Sequence, residues 1–79
     1  MKAKWLKESR HLKTLGARLR FFLLREYGQQ IIAAQALGVA QSSLSDLCNN
    51  KAEPCCKTLV KLLKKTEIDL HWLLTGKAQ

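Results

Sequence analysis

The side chains able to do chemistry in this 79-residue chain are short, polar and mostly neutral. Gln41, Ser42, Ser43, Ser45 and Asp46 crowd one stretch, and they offer an amide, three hydroxyls and a carboxylate for hydrogen bonding. This is the chemistry of recognition rather than of bond making. No nucleophile comes with a base and an orienting partner, no glycine loop suits a phosphate, and no two carboxylates share a helical face; His11 and His71 stand alone. An enzyme is therefore not expected.

The three cysteines add no reactive centre. Cys55 and Cys56 are adjacent, and a trans peptide holds neighbouring thiols too far apart for an easy disulfide. With Cys48 and the two histidines they form no CxxC or HxxxH spacing, so neither a metal nor a cofactor is expected. They read instead as small apolar groups, Cys48 at a helix end and one of Cys55 or Cys56 facing a core. Met1 to Leu12 lacks the continuous apolar run of a secretory signal, which predicts a cytoplasmic, reducing setting.

The polar cluster needs an element to hold it. Over Gln30 to Asn49 the apolar residues Ala33, Leu37, Val39, Leu44 and Leu47 cannot share one helical stripe, because the phase breaks at Gly38. Two short helices with a sharp turn follow, a helix-turn-helix. Gly38 supplies the positive φ of the reversal, Val39 plugs the corner, and Ala34 is small where the helices cross. If Ala33, Leu37, Leu44 and Leu47 face one core, then Ala40, Gln41, Ser42, Ser45 and Asp46 face outward.

Composition agrees. With 47% apolar residues, one proline and four glycines, helix packing must carry stability in one modest all-α domain. The net charge of +8 points to a polyanionic partner, nucleic acid ahead of an acidic membrane surface. Residues 1–27 carry eight basic against two acidic side chains, residues 57–79 five against two, and residues 28–56 only Lys51 against Asp46 and Glu53. The motif is nearly uncharged and its flanks are basic. Phosphate attraction by the flanks and base reading by the motif is one account; a basic surface that only keeps the chain soluble is the other.

Gln30 opening the first motif helix, Gln41 the second, Leu44, the pair Asn49 and Asn50, and the closing LHWLLTG at Leu70 to Gly76 carry a resemblance. From about Leu15 to Gly76 the chain resembles the lambda repressor and Cro-like family of phage and bacterial transcription regulators. It departs at Gly28 and Gln29, where that family usually has a buried leucine and a Ser or Thr. The resemblance implies a compact five-helix bundle at 15–79, preceded by a basic extension at 1–14, with Ala40 to Cys48 as the recognition helix in the major groove. It further implies that Gln30 donates to a backbone phosphate and braces Gln41, that Gln41 makes a bidentate contact to adenine, and that Asn49 contacts phosphate. By their own chemistry Ser42, Ser45 and Asp46 are further base-edge candidates, Asp46 accepting from cytosine, excluding wrong bases or pairing with a basic neighbour. Ser43, Asn50, Lys51 and Lys57 are phosphate candidates. The plainer alternatives are that Gln30 and Gln41 are exposed helix formers and that Asn50 and Lys51 are turn residues.

The rest of the chain supports this frame. Met1 to Thr14 places Trp5, Leu6 and Leu12 among basic residues, either as an arm that contacts phosphates through Lys2, Lys4, Lys7 and Arg10 or as a helix packing through Trp5. Leu15 to Tyr27 reads as a helix with Leu15, Leu19, Phe22, Leu23 and Tyr27 inward and Arg18, Arg20 and Arg25 outward. Phe21 and Leu24 then need cover from the extension or a partner chain. Pro54 suits the first turn of a helix from Cys55 to Lys65, with Leu59, Leu62 and Leu63 inward, Val60 at the edge, and Lys61, Lys64 and Lys65 on a solvated face. Asp69 caps Leu70 to Thr75, Leu70, Leu73 and Leu74 close the core, and Trp72 lies to one side.

The functional expectation is a sequence-specific DNA-binding regulator, a repressor that holds a pseudo-palindromic operator as a homodimer. An antitoxin-like module that grips a protein partner through its extension is the alternative. Gly76 to Gln79 reads either as the start of a linker to a C-terminal domain or as the end of a Cro-like chain.

Overall fold

A computed structural model describes residues 11–77, and over that range the chain is helical, with no strand among the described residues. Five helices follow in order: α1 Leu15–Tyr27, α2 Gln30–Leu37, α3 Gln41–Cys48, α4 Cys56–Lys65 and α5 Leu70–Thr75. Helix α1 packs on α2, α3 and α5; α2 packs on α3 and α4. The body measures 30 × 23 × 23 Å.

Helix boundaries follow from local chemistry. Thr14 caps α1, its hydroxyl accepting from Ala17 N at 3.2 Å, and Gly28 at φ 82° ends it. Asp69 caps α5 by accepting from Trp72 N. Helix α2 ends in a Schellman turn: Gly38 N donates to Gln35 O, Val39 N to Ala34 O, and Gly38 is left-handed at φ 69°. Helix α4 begins at Cys56 rather than Cys55, since Cys55 is its extended N-cap and Pro54 lies one residue outside.

The core is continuous. Leu19, Phe22 and Leu23 of α1 meet Ala33, Ala34 and Leu37 of α2, Leu44, Leu47 and Cys48 of α3, Leu62, Ile68, Trp72 and Leu73, with Leu15, Tyr27, Val39, Leu59 and Leu70 packed at its border. Burying this apolar surface is what holds so small a chain together.

Several inward and outward assignments change. Arg18, expected outward, is only 6% exposed: Nε donates to Leu73 O at 2.8 Å and Nη1 to Leu12 O at 3.2 Å, so the guanidinium ties α1 to α5 and to the entering chain. Its burial lowers the guanidinium pKa below the ordinary value. Leu63 and Leu74, expected inward, are 52% and 48% exposed. Helix α4 rests chiefly on α2, which leaves room for a narrow inward face that Leu62 fills. In the six residues of α5, Trp72 joins Leu73 in the buried positions and Leu74 does not. Ile68, in the connection before α5, is a core residue that helical periodicity does not reveal. Both Cys55 and Cys56 are exposed, so neither faces the core; Cys48 does.

Phe21 is half-buried under the Arg25 guanidinium, 5.9 Å from its ring centroid, and Leu24 is exposed. The cover expected from Trp5 and Leu6 lies outside the described residues, as do Lys2, Lys4, Lys7 and Arg10. Among the described residues, no helix is long and apolar enough to cross a membrane.

Candidate nucleic-acid interface

Helix α3 is divided lengthwise. Leu44, Leu47 and Cys48 are buried, Ser45 is half-buried, and Gln41, Ser42, Ser43 and Asp46 are exposed. The buried row anchors the helix through both of its turns, so the polar row stands on a fixed support. At the corner, Ala34 is buried and Val39 is half-buried after the turn. The Lys61 ammonium donates to Gly38 O at 3.3 Å, which places a cation at the negative end of the α2 dipole. The helical pattern of α4 puts Lys61 on a solvated face. It is exposed, but its tip reaches the motif turn across 23 positions of sequence.

Both motif helices start without a side-chain cap. Gln29 precedes α2 and Ala40 precedes α3, each in extended conformation and neither contributing a side-chain hydrogen bond. Alanine has no group to offer, and glutamine is not among the good capping residues. The first N–H groups of a helix have no carbonyl partner within it, so these two starts keep donors and positive dipole ends available to an anion. Gln30, the first residue of α2, is half-buried. Helix α2 does start there despite the departures at Gly28 and Gln29.

The far end of α3 is more constrained. Asn49 Nδ2 donates to Ser45 Oγ at 3.2 Å, which links a phosphate candidate to a base-edge candidate. Asn50 is left-handed at φ 61° and its amide reaches the start of α1: Oδ1 accepts from Gly16 N at 2.9 Å and Nδ2 donates to Thr14 Oγ1 at 3.1 Å. Lys51 N donates to Asp46 O, and the Lys51 side chain is exposed.

Ser43 and Asp46 line an open hollow of about 280 Å³ together with Leu47, Ala52, Glu53, Cys55 and Thr58. The hollow brings the N-terminus of α4, and with it exposed Lys57, close to α3. Two carboxylates, Asp46 and Glu53, share it. Among the described residues no basic side chain pairs with Asp46, so its oxygens remain available as acceptors. The exposed Cys55 thiol bonds with the Thr58 hydroxyl at 3.5 Å, and this bond lowers its pKa. Burial pushes the Cys48 thiol up, against a smaller opposing effect of Arg20. Neither thiol gathers a metal site, and no group of three or more potential ligands occurs among the described residues.

Sequence reasoning missed Gly16, Arg18 and Lys61. Arg18 did carry a signal: it lies three residues after Leu15 and four before Phe22, on the side of α1 that faces the core. Gly16 and Lys61 carried none, because what they touch is distant in sequence.

Two short helices turned by a left-handed glycine, the second buried along one row and bare along a polar one, define a helix-turn-helix DNA-binding domain. The family model of the bacteriophage CI repressor helix-turn-helix domain matches residues 28–79, and the chain belongs to that family. It is a DNA-binding regulator. Comparison with curated proteins and with solved structures gave no match.

Proposed function

We propose that this regulator acts as a repressor: two copies hold a pseudo-palindromic operator, each with α3 in the major groove, and occupancy of the promoter blocks transcription. The observation that carries the reading is the bare polar row of Gln41, Ser42 and Asp46 on a helix whose opposite row is buried. An α-helix fits the major groove, where glutamine can pair with adenine N6 and N7, serine with several edges, and a carboxylate with cytosine N4. Ser45, half-buried, reads at the margin of this row. Gln30 and the free start of α2, Ser43, Asn49, Lys51 and Lys57 take phosphates. Asn50 stands apart from that group because its amide already bonds Gly16 and Thr14.

The division of charge supports the same reading. A neutral reading surface between basic flanks gains affinity from phosphates without swamping the discrimination that base contacts provide. We take residues 15–79 as the DNA-binding domain and 1–14 as its basic extension, with Lys2, Lys4 and Lys7 as further phosphate contacts. Two half-sites would raise the affinity of so small a module, and the site of action is the cytoplasmic nucleoid.

Selection of bound sequences from a random duplex library, at about physiological salt where non-specific binding is weak, tests the proposal. An enriched inverted repeat with centres about one helical turn apart supports a dimeric operator binder. Enrichment of single half-sites would refute the dimer, and no enrichment would refute operator binding by this chain.

A further inference from the structure

Helices α2 and α3 end in the same turn with different residues at its left-handed position. In α2 that position is Gly38. In α3, Lys51 N donates to Asp46 O at 2.8 Å and Asn50 N to Leu47 O at 3.3 Å, the two bonds of a Schellman turn, with Asn50 left-handed. Glycine is the usual occupant because a Cβ is penalised there, and Asn50 is the only non-glycine with positive φ among the described residues. A side chain at this position calls for a reason.

The reason lies across the fold. Asn50 Oδ1 takes the N–H of Gly16, 34 positions away, and Nδ2 donates to the Thr14 hydroxyl, which also accepts from Ala17 N. Gly16 N and Ala17 N belong to the first turn of α1, where no carbonyl of the helix itself can reach them. One asparagine therefore ends α3 with its backbone and helps cap α1 with its side chain. There is no slack in the joint. A Cβ on Gly16 would come within 2.6 Å of Asn50 Oδ1 and of Leu47 O, and within 2.8 Å of Cys48 O, so the first turn of α1 lies directly on the last turn of α3.

We propose that Asn50 is a positioning residue for sequence reading: by pinning the C-terminal end of α3 to the N-terminus of α1, it sets the tilt at which Gln41, Ser42 and Asp46 meet base edges. The proposal rests on the reading of α3 as the recognition helix, and it replaces the phosphate contact expected of Asn50. Small errors of tilt matter to base contacts, whose hydrogen bonds are directional, and matter little to long, mobile lysines on phosphates.

Two substitutions separate the roles. Asn50→Gly keeps the left-handed backbone and the Schellman bonds and removes both side-chain bonds. Asn50→Asp keeps an acceptor for Gly16 N, tolerates the left-handed conformation and lets the Thr14 hydroxyl donate to it, while placing negative charge where a phosphate would approach. Affinities are measured for the duplex recovered by selection and for a scrambled duplex of equal length, with thermal melts establishing that each variant is folded. Asn50→Gly is expected to weaken binding of the selected duplex about tenfold and that of the scrambled duplex by less than about twofold, as suits the loss of two bonds that act on tilt alone. Asn50→Asp is expected to weaken both duplexes and to restore their ratio. Thr14→Val, which removes the hydroxyl shared by Ala17 N and Asn50 Nδ2, should move the ratio in the same direction as Asn50→Gly, and decides the matter if Asn50→Gly does not fold. A ratio unchanged in folded Asn50→Gly and Thr14→Val overturns the inference, and equal losses on both duplexes in Asn50→Gly return Asn50 to phosphate binding. Failure of the selection to enrich any duplex would instead overturn operator binding, and the inference with it.

Discussion

Replacing Gly16 with alanine sets two physical effects against each other with opposite signs. Gly16 is the second residue of α1, and its φ is not positive, so its backbone conformation would accept an L side chain. Helix propensity alone then favours alanine by up to about 1 kcal/mol. Packing says the reverse. The added Cβ would stand 2.6 Å from Leu47 O and 2.6 Å from Asn50 Oδ1, about 0.8 Å short of ordinary contact, and Leu47 O is backbone within the helix that carries the polar row. Forcing such a contact costs about 1–3 kcal/mol. Pushing α3 away also stretches the bond from Gly16 N to Asn50, whose loss adds about 1 kcal/mol. The net expectation is a loss of about 1–3 kcal/mol, or roughly 5–20 °C of melting temperature for a domain this small. Thermal and urea unfolding of the two proteins, followed by far-UV circular dichroism, measure it. An alanine variant as stable as the natural chain, or more stable, would refute the close approach of α1 to α3 and the joint built on it.

The other expectations follow from particular contacts. Gly38→Ala meets no atom within 4 Å, so its cost is the left-handed backbone alone, about 1–2 kcal/mol in urea unfolding; an unaffected midpoint would mean the turn is not left-handed. Arg18→Met strips two carbonyls of a buried donor and should cost about 1–3 kcal/mol, and Arg18→Lys should not rescue it, because one ammonium cannot reproduce the fork; full rescue would count against the observed geometry. Gln41→Ala should lose roughly 1–3 kcal/mol of discrimination at one base pair of the selected duplex and little affinity for scrambled DNA, and equal losses on both would rule out base reading. Timed alkylation with iodoacetamide near neutral pH, read by peptide mass spectrometry, should modify Cys55 before buried Cys48, and Thr58→Ala should slow Cys55; the opposite order would contradict both environments. The raised Cys48 pKa means that the native thiol keeps its proton where the unfolded one ionises, so stability should fall as pH rises past the ordinary 9.0, and Cys48→Ala should remove that part of the fall.

What the sequence made legible was local. The break at Gly38, the inward Leu44 and Leu47 and the cap at Asp69 depend on residues within a turn or so of one another, and all are found as read. What it hid depends on elements meeting across the fold. Arg18 reaches Leu73 over 55 positions, Asn50 reaches Gly16 over 34, and Lys61 reaches Gly38 over 23. A helical pattern marks Arg18 as a candidate for the buried face but cannot show that two bare carbonyls wait there. It also cannot choose between Leu62 and Leu63, which differ by one step of rotation, until it is known that α4 rests on α2 over a narrow strip.

The same distinction separates the two roles proposed for the polar residues around α3. Gln41, Ser42 and Asp46 can be picked out because an outward polar row on a helix with a buried opposite row has few structural uses. Asn50 looked like their neighbour in both sequence and type. Only the fold shows that its amide is turned to the start of α1, where it takes Gly16 N beside the Thr14 cap on Ala17 N. Asparagine at a left-handed helix end is thus ambiguous from sequence: it can be a substitute for glycine, a ligand for phosphate or a bolt between helices. Here the bond lengths to Gly16 and Thr14, and the absence of room for a Cβ on Gly16, favour the bolt. The stability of α1 and the aim of α3 then depend on one side chain, which is why the Gly16 and Asn50 variants should disturb recognition together.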